Sequence, residues 1–385
     1  MNQVVFIGKG SISHIPDILD KHQARTVLLV TGKASFTTSG AAEALRPFLK
    51  GKKVVRFSAF DVNPKLEDVS SGIHLVKDTK PDLVIAVGGG SVLDMGKLIT
   101  VLAAQSQDNV EELIRNSALI ESKSLPVVAI PTTAGSGSES THFAVVYINK
   151  VKYSLAHSTI LPDYAIVDPT LTFQMPPELA ASCGMDALTQ AVESYWAVDS
   201  TEESKGYAAQ AIGMILPAIH SSIRFGHEEE KTAMSIAAHL SGKAINISKT
   251  TAAHAISYPI TMYFNVPHGH AVALVLGQVL LINAELGKEG LNDARGASYN
   301  QTTMSEIYTM FECTTAEACC DTWYTLMEQI GLETNLKNLG VSNLNDISLV
   351  VQHINIERLN NNPVKIPENR LYSLLESLVS MACIK

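Results

Sequence analysis

The sequence has few cysteines, and their spacing is as informative as their number. Five occur in 385 residues, and no two of them form a Cys-x-x-Cys pair. Small disulfide-framed domains and thiolate zinc sites both need closely spaced cysteines, so both classes are excluded. A reduced, cytoplasmic setting is the expectation for thiols at Cys183, Cys313, Cys319, Cys320 and Cys383.

Charge and long apolar runs are also scarce. Charged residues make up 17% of the chain, the formal net charge is −9, and no basic stripe with interleaved aromatic residues occurs. This composition argues against a nucleic-acid partner. Apolar runs are broken before about 18 residues, so neither a spanning helix nor a membrane partner is expected. The N-terminal MNQVVFIGKGS also lacks the basic and apolar regions of a signal peptide.

The sequence does contain enough apolar residues to bury more than one core. The hydrophobic fraction is 46% over 385 residues, and because a domain averages about 150 residues, two domains are predicted. The character of the chain changes near Pro176, where β-branched runs give way to long helical stretches. We therefore predict a first domain over residues 1–175 and a second over residues 176–385.

The first domain alternates apolar, β-branched runs with helical ones, and short glycine turns often separate them. This alternation predicts an α/β domain with a doubly wound, mostly parallel sheet. The predicted strands are Val4–Ile7, Thr26–Thr31, Lys53–Phe57, 82–87 and 127–130. The predicted helices are 40–49, 66–76 and 92–104.

The second domain is predicted to be all-α. Apolar residues such as Ala191, Ala208 and Ile212 recur at helical spacing, and we assign them to core packing. The predicted long helices are 179–196, 204–216, 229–244 and 271–286.

Two polar turns follow predicted strands of the first domain. The first leads into a helix that contains Asp94, and it consists of Gly88, Gly89, Gly90 and Ser91. Bare backbone at a helix start can bind phosphate, although a plain tight turn explains the same pattern. The glycine spacing is not that of the GxGxxG fingerprint. The second turn follows another strand and strengthens the prediction of a nucleotide site; its polar residues include Thr132, Thr133 and Ser136.

Three of the twelve histidines fall in one short stretch of the second domain, TTAAHAISYPITMYFNVPHGHAVA. Pro259 is expected to interrupt the helix that carries His254, and Pro267 to open the next helix, with His268 in its first turn. Histidines on two consecutive helices can face one metal ion from different directions. Two further candidate ligands lie four residues apart on one predicted helix face, and they are Asp186 and Gln190. A core histidine and a helix cap explain the same residues, and that alternative stays open at this point.

Several ordered motifs resemble the iron-containing (group III) alcohol dehydrogenase family. They are GGGSVLDMGK, IPTTAGSGSE, AIVDP, GMDAL, the His254 to His268 spacing of 14, PHGHA and Asn361-Asn362-Pro363. The resemblance covers nearly the whole chain and implies an NAD(P)-binding α/β domain followed by a helical metal-binding domain. It also implies that both polar turns bind the cofactor, and that one Asp and three His hold iron or zinc.

By this resemblance the metal ligands fall on Asp186, His254 and His268. At the remaining position, where the family usually has His, this chain has Gln190. An amide oxygen is a weaker donor than imidazole, so Gln190 is expected to be a fourth ligand or a partner of the ligands. One turn after His254, many members have a further His near the nicotinamide, and this chain has Tyr258. His270 is expected either to take over that polar role or to lie exposed at the helix start.

The resemblance implies reversible hydride transfer between NAD(P)H and an aldehyde, with reduction as the expected direction. The metal acts as a Lewis acid and the cofactor supplies the hydride. NADH is expected, but Gly32 stands where many members carry an Asp that repels a 2′-phosphate, so NADP binding stays open. Neighbouring Lys33 is either a phosphate contact or a solvated lysine. A homodimer is expected. A related NAD-and-metal enzyme, such as dehydroquinate synthase, and a metal-poor binding protein are the alternatives.

The segment before and around His254, SGKAINISKTTAAHAISYP, resembles the branch of the family that reduces sulfoacetaldehyde or phosphonoacetaldehyde. Both substrates are two-carbon aldehydes with an anionic head, which a fixed cation holds by charge-assisted hydrogen bonds. We expect Lys249 to be that cation and Lys243 to be a solvated helix residue. Sulfoacetaldehyde, reduced to isethionate, is the expected substrate. Phosphonoacetaldehyde and a general short-chain alcohol are the alternatives.

Overall fold

The structure, a computed structural model, describes residues 3–123, 125–149, 151–285 and 290–381. Contacts along the chain divide it into two compact units, Met1–Met175 and Pro176–Lys385. Cys383 and the predicted helix end at Leu286 lie outside the described residues. Among the helices that the structure describes, none is long and apolar enough to cross a membrane.

A six-stranded parallel sheet forms the centre of the first unit. In chain order the strands are β1 (Val4–Ile7), β2 (Thr26–Thr31), β3 (Lys53–Phe57), β4 (Leu83–Gly88), β5 (Val127–Pro131), the separate antiparallel pair β6 (Phe143–Ile148) and β7 (Val151–Ala156), and β8 (Tyr164–Val167). The sheet order is β1-β8-β5-β4-β2-β3, and each pairing within it is parallel. The predicted parallel α/β architecture is confirmed.

Side chains of the central strands alternate between two hydrophobic cores, one on each face of the sheet. Val84 and Ala86 of β4 belong to one core, whereas Leu83 and Ile85 belong to the other. Every residue of β4 and β5 is buried. Burial on both faces explains why these strands are continuous apolar runs without a polar alternation.

Helices of the first unit cover the faces of this sheet or connect its strands. They are α1 (Ile15–Lys21), α2 (Ser35–Thr38), α3 (Ala41–Leu45), α4 (Leu66–Thr79), α5 (Gly90–Leu102) and α6 (Val110–Arg115). The predicted helix at 40–49 was too long, because only α3 is helical there. Strands β6, β7 and β8 were not predicted.

The second unit is helical, as predicted. Its helices are α7 (Pro177–Trp196), α8 (Glu202–Arg224), α9 (Glu228–Ser248), α10 (Ala252–Phe264), α11 (His268–Ala284), α12 (Ala297–Met310), α13 (Ala316–Gln329), α14 (Leu344–Gln352), α15 (Ile356–Asn360) and α16 (Glu368–Ser380). Two of these helices end later than predicted, since α8 continues through Pro217 to Arg224 and α9 continues to Ser248.

The prediction that Pro259 interrupts its helix is wrong. Proline lacks an N–H and crowds the preceding turn, which costs roughly 3 kcal/mol in a helix interior. Here α10 continues through Pro259 to Phe264. Ile256 and Ile260, on either side of the proline, are fully buried, and the burial of such side chains contributes about 1.5–3 kcal/mol each. Tertiary packing therefore offsets the local penalty.

Glycine at position 96 allows α5 to lie directly on β4. A methyl group built at Gly96 would come within 2.7 Å of Ala86 Cβ, which is backed by the sheet. In contrast, a methyl group at Gly213 of α8 would meet no atom within 4 Å. Of these two helical glycines, only Gly96 is required for the close packing of its helix.

We expect Gly96→Ala to lower the free energy of unfolding by about 1–3 kcal/mol, because the added methyl group must push α5 away from the sheet. The matched substitution Gly213→Ala should instead raise it by about 0.5–1 kcal/mol, through the higher helix propensity of alanine. Urea denaturation of both variants and the wild type measures the two effects. Equal effects of the two substitutions would contradict this account of Gly96.

Candidate active site

The predicted cofactor residues of the first unit lie at the carboxyl ends of three adjacent parallel strands. The turn at Gly32 follows β2, the triple glycine ends β4 and begins α5, and the second polar turn follows β5. Since β2, β4 and β5 are neighbours in the sheet, all three turns share one sheet edge. In open parallel sheets, ligands bind at this edge.

The glycine turn and the second polar turn pack directly against each other. A methyl group at Gly89 would lie 3.3 Å from the Thr133 side chain, and one at Gly90 would lie 2.8 Å from the Ser136 hydroxyl. The Thr132 N–H donates to the Gly88 carbonyl at 3.0 Å. A side chain at either glycine would crowd the second turn, and the N–H groups at the very start of an α-helix lack partners within that helix. The arrangement suits a phosphate group.

Asp94 and Lys97 of α5 hold the second polar turn onto the helix. The Asp94 carboxylate accepts from the Ser138 hydroxyl at 2.5 Å and from the Val145 N–H at 2.9 Å. Lys97 is 1% exposed, and its ammonium donates to the Ser138 carbonyl and the Thr141 hydroxyl. These contacts give Asp94 an indirect role that positions the turn. Its direct contact with a cofactor stays a prediction.

Two cations and one carboxylate surround the Gly32 turn. The Arg56 guanidinium donates to the Thr31 hydroxyl at 2.8 Å and to the Gly32 carbonyl at 3.0 Å. The Lys33 ammonium lies 2.6 Å from the Asp61 carboxylate, and both side chains are more than half exposed. Arg56 was not identified from the sequence, because it lies within β3, whereas the turn that it contacts follows β2.

The second unit brings the predicted metal ligands together. Donor atoms of Asp186, His254 and His268 all lie within 4.8 Å of one another, and the first two residues are buried. Their helices are α7, α10 and α11, so the three side chains approach from three directions. Two imidazoles and one carboxylate form a common donor set for first-row divalent metals.

The turn between α10 and α11 places both histidines at this point. Asn265 ends α10 with a left-handed φ of 57°, and Pro267 caps α11, which begins at His268. Pro267 thus opens the helix as predicted. A methyl group at Gly269 would lie only 2.0 Å from the Ser182 carbonyl oxygen of α7. Gly269 is therefore required for the close approach of α11 to the helix that carries Asp186.

Glu193 orients His254, and it is fully buried. One of its carboxylate oxygens accepts from the Ala253 N–H at 2.7 Å, the His254 N–H at 3.3 Å and the Thr251 hydroxyl at 2.9 Å. The other accepts a short hydrogen bond from His254 Nδ1. A single carboxylate thus caps the N-terminus of α10 and turns the lone pair of His254 Nε2 towards Asp186.

The electrostatics of the cluster favour positive charge between its carboxylates. Burial raises the pKa of Asp186, but the neighbouring His254 and His268 imidazoles outweigh burial and lower it. Burial lowers the pKa of His254, but the Glu193 and Asp186 carboxylates outweigh burial and raise it. A metal ion satisfies the same demand for positive charge.

Two buried oxygens test whether the residues present fit a metal. Asp186 Oδ1 and Gln190 Oε1 are buried and accept no hydrogen bond in the part of the chain that the structure describes. Asp186 Oδ1 faces His254 Nε2 at 3.5 Å. Leaving buried acceptors unsatisfied is unfavourable by about 1–3 kcal/mol each, whereas a cation satisfies both. The donor set therefore fits a divalent metal, with Gln190 as a neutral oxygen donor beside it.

The three predicted catalytic residues lie in different surroundings. Tyr258 is beside the cluster, because its ring stacks on His268 with centroids 5.8 Å apart. His270 is buried rather than exposed, and its Nε2 hydrogen-bonds the Glu333 carbonyl at 2.7 Å. Burial lowers the pKa of His270. The side chain of Lys249 is 42% exposed, and its ammonium lies 3.2 Å from Glu357. The catalytic roles of these three residues stay predictions.

Two family models together match almost the whole chain. Iron-containing alcohol dehydrogenase matches residues 2–169, and the C-terminal model of the Fe-containing alcohol dehydrogenase family matches residues 180–379. The chain belongs to the iron-containing alcohol dehydrogenase family. It is therefore an oxidoreductase, as the resemblance implied.

Individual relatives agree with this assignment. Long-chain-alcohol dehydrogenase 1 of Geobacillus thermodenitrificans is 30% identical and covers 80% of this chain and 79% of its own length. NADPH-dependent butanol dehydrogenase of Clostridium saccharobutylicum is 31% identical and covers 74% of each chain. Among solved structures, sulfoacetaldehyde reductase from Bifidobacterium kashiwanohense, in complex with NAD⁺, is 30% identical with a TM-score of 0.88. That comparison covers 99% of this chain and 98% of the other.

We expect Glu193→Gln to weaken Zn²⁺ and Co²⁺ binding to the apoprotein by about 10- to 100-fold, because the uncharged amide no longer fixes His254. His268→Ala removes a predicted ligand and should abolish tight binding. Chelator competition measures both affinities, and the Co²⁺ absorption spectrum reports the ligand geometry.

Glu202→Gln is the matched control, because it makes the same change at an exposed position of the same unit. It should bind metal as the wild type does. Wild-type affinity in Glu193→Gln would contradict the orienting role. Retention of metal and full activity by His268→Ala would contradict the ligand assignment.

Proposed function

We propose that this enzyme uses NADH and a bound divalent metal, iron or zinc, to reduce a short aldehyde with an anionic head. Sulfoacetaldehyde, reduced to isethionate, is the proposed substrate. The observation that carries the proposal is the buried cluster of Asp186, His254 and His268. The likeness to an NAD⁺-bound sulfoacetaldehyde reductase over nearly the full chain supports the cofactor and the substrate class.

Each unit contributes separate residues to this reaction. In the first unit, the turn at Gly88–Gly90 and the Thr132–Ser136 turn offer backbone N–H groups and hydroxyls to the pyrophosphate of the cofactor. In the second unit, Asp186, His254 and His268 would hold the metal, with Gln190 beside them. When bound, the metal acts as a Lewis acid that polarises a carbonyl and stabilises an alkoxide. Glu193 keeps the His254 imidazole in the tautomer and orientation that a ligand needs.

Phosphonoacetaldehyde and simple short-chain aldehydes are the competing substrates. The relatives from Geobacillus and Clostridium are named for long-chain alcohols and butanol, so the family accommodates apolar substrates as well. What supports an anionic substrate here is the cationic and hydroxyl-bearing sequence next to His254. The proposed assembly is a homodimer in a reduced cytoplasm.

We expect kcat/KM for sulfoacetaldehyde to exceed that for propanal by at least about tenfold, because a hydrogen bond to a charged group contributes about 1.5–3 kcal/mol. NADH oxidation by the metal-loaded enzyme measures both values, with phosphonoacetaldehyde as a third substrate. A preference for phosphonoacetaldehyde would replace the substrate within the same class. A preference for propanal would show that the enzyme is a general short-chain alcohol dehydrogenase.

We also expect the enzyme to use NADH in preference to NADPH. Asp61 lies beside the Gly32 turn through its ion pair with Lys33, and it repels a 2′-phosphate in place of the missing strand-end Asp. The measurement is kcat/KM for both cofactors in the wild type, Asp61→Asn and Arg56→Gln. Asp61→Asn should shift the ratio towards NADPH. A wild-type preference for NADPH that disappears in Arg56→Gln would show that Arg56 binds a 2′-phosphate.

A further inference from the structure

A short helix near the C-terminus, α15, lies against the segment that leads into the His254 helix. The Asn361 amide, one residue past α15, donates to the carbonyls of Ser248 and Thr250 at 2.8 and 3.0 Å. Glu357 of α15 pairs with Lys249. Three consecutive residues before α10 are thus held by α15 and its end. In addition, α15 packs against α10, the helix that carries His254.

Of the two buried residues of α15, Arg358 and Leu359, only Arg358 carries a charge. It is 9% exposed, and its backbone N–H donates to the Asn355 side chain that caps the helix. Its helix packs against α10, which carries Tyr258, and the Asn361 amide at the end of α15 reaches the Thr250 carbonyl. On this geometry we group Arg358 with Tyr258 and Thr250. The electrostatics agree, because burial raises the pKa of Tyr258 and the Arg358 charge opposes that rise.

This polar group adjoins the metal ligands. The Tyr258 ring stacks on His268 and lies with its centroid 6.4 Å from that of His254. Tyr258 thus contacts the candidate metal ligands from the helix against which α15 packs. A two-carbon substrate needs a cation near the metal site but apart from it, because its reacting carbonyl and its anionic head are at opposite ends of a short molecule.

Arg358 is better suited than Lys249 to hold such a head. The Lys249 side chain is 42% exposed and its charge is shared with Glu357, and exposed ion pairs contribute little. A buried guanidinium acts in a medium that screens charge less, and its planar donors match the oxygens of a sulfonate. The hydroxyls of Thr250 and Tyr258 supply further donors on the same side.

We propose that Arg358, with the Thr250 and Tyr258 hydroxyls, binds the sulfonate group of the substrate and sets the preference for anionic aldehydes. The inference rests on the proposed function, because it assigns a recognition residue to that substrate class. It transfers the recognition role expected of Lys249 to a residue that has no distinctive sequence motif.

The first measurement is the ratio of kcat/KM for sulfoacetaldehyde to that for propanal. Arg358→Gln should lower this ratio by about 10- to 100-fold, the range of a lost hydrogen bond to a charged group. Arg358→Lys keeps the charge without the planar fork, and it should recover part of the ratio. Arg370→Gln is the matched control, since Arg370 pairs with Glu285 in the same unit, and its ratio should equal that of the wild type.

The second measurement does not depend on turnover. Calorimetry follows the binding of ethanesulfonate, an unreactive anion of the same size, to the NADH-loaded wild type and to each variant. Binding that weakens in Arg358→Gln and partly recovers in Arg358→Lys supports the proposal, even where the wild type prefers propanal as substrate. A wild-type preference for propanal by itself contradicts only the proposed function.

Three results would overturn the role of Arg358. The first is equal ethanesulfonate affinity in the wild type and Arg358→Gln. The second is absence of ethanesulfonate binding to the wild type. The third is a selectivity loss in Lys249→Ala that Arg358→Gln does not share, which would return the role to Lys249. Should Arg358→Gln fail to fold, the comparison of Arg358→Lys with Arg370→Gln decides the question, because the first alone should change affinity for the anion.

Discussion

The hydrogen bonds of the Glu193 carboxylate are the constraint on which the second unit depends. Glu193 on α7 satisfies the N-terminus of α10 and fixes the His254 ring with its other oxygen. The same carboxylate therefore packs α10 and orients His254. Removing it would take away the cap of α10 and the orientation of His254 together. Fold stability and metal affinity are therefore coupled through a single buried charge.

The sequence predicted the candidate ligands but not the residue that orients one of them. Asp186, His254 and His268 are recognisable by residue type, spacing and resemblance. Glu193 lies on the same helix as Asp186, yet its partner His254 is 61 residues away in the chain. A glutamate within a helix is most often solvated, so nothing local distinguishes a buried one. Its position seven residues after Asp186, on the same helix face, was the available signal.

The fold was predictable where local pattern and burial agree. β4 is apolar because it is buried on both faces, and its glycine turn follows from its position at a helix start. The antiparallel pair of β6 and β7 was not predicted, although many of its residues are β-branched or aromatic. The predicted helix break at Pro259 was wrong for a different reason. The penalty of a proline is local, whereas the burial of α10 that offsets it depends on tertiary packing. Arg358 was not singled out from the sequence, because α15 has only five residues.

Gln190, at a position where the family usually has His, does not change the net charge of the candidate metal site. Asp186 and Glu193 are two buried carboxylates with 6% and 0% exposure, and a bound divalent cation would balance them. Replacing an imidazole by the Gln190 amide leaves that sum unchanged, because both side chains are neutral. The donor atom changes from nitrogen to the harder oxygen, which alters the metal affinity but not the net charge of the site. A carboxylate at position 190 would instead bury a third negative charge, which the cluster has no cation to balance.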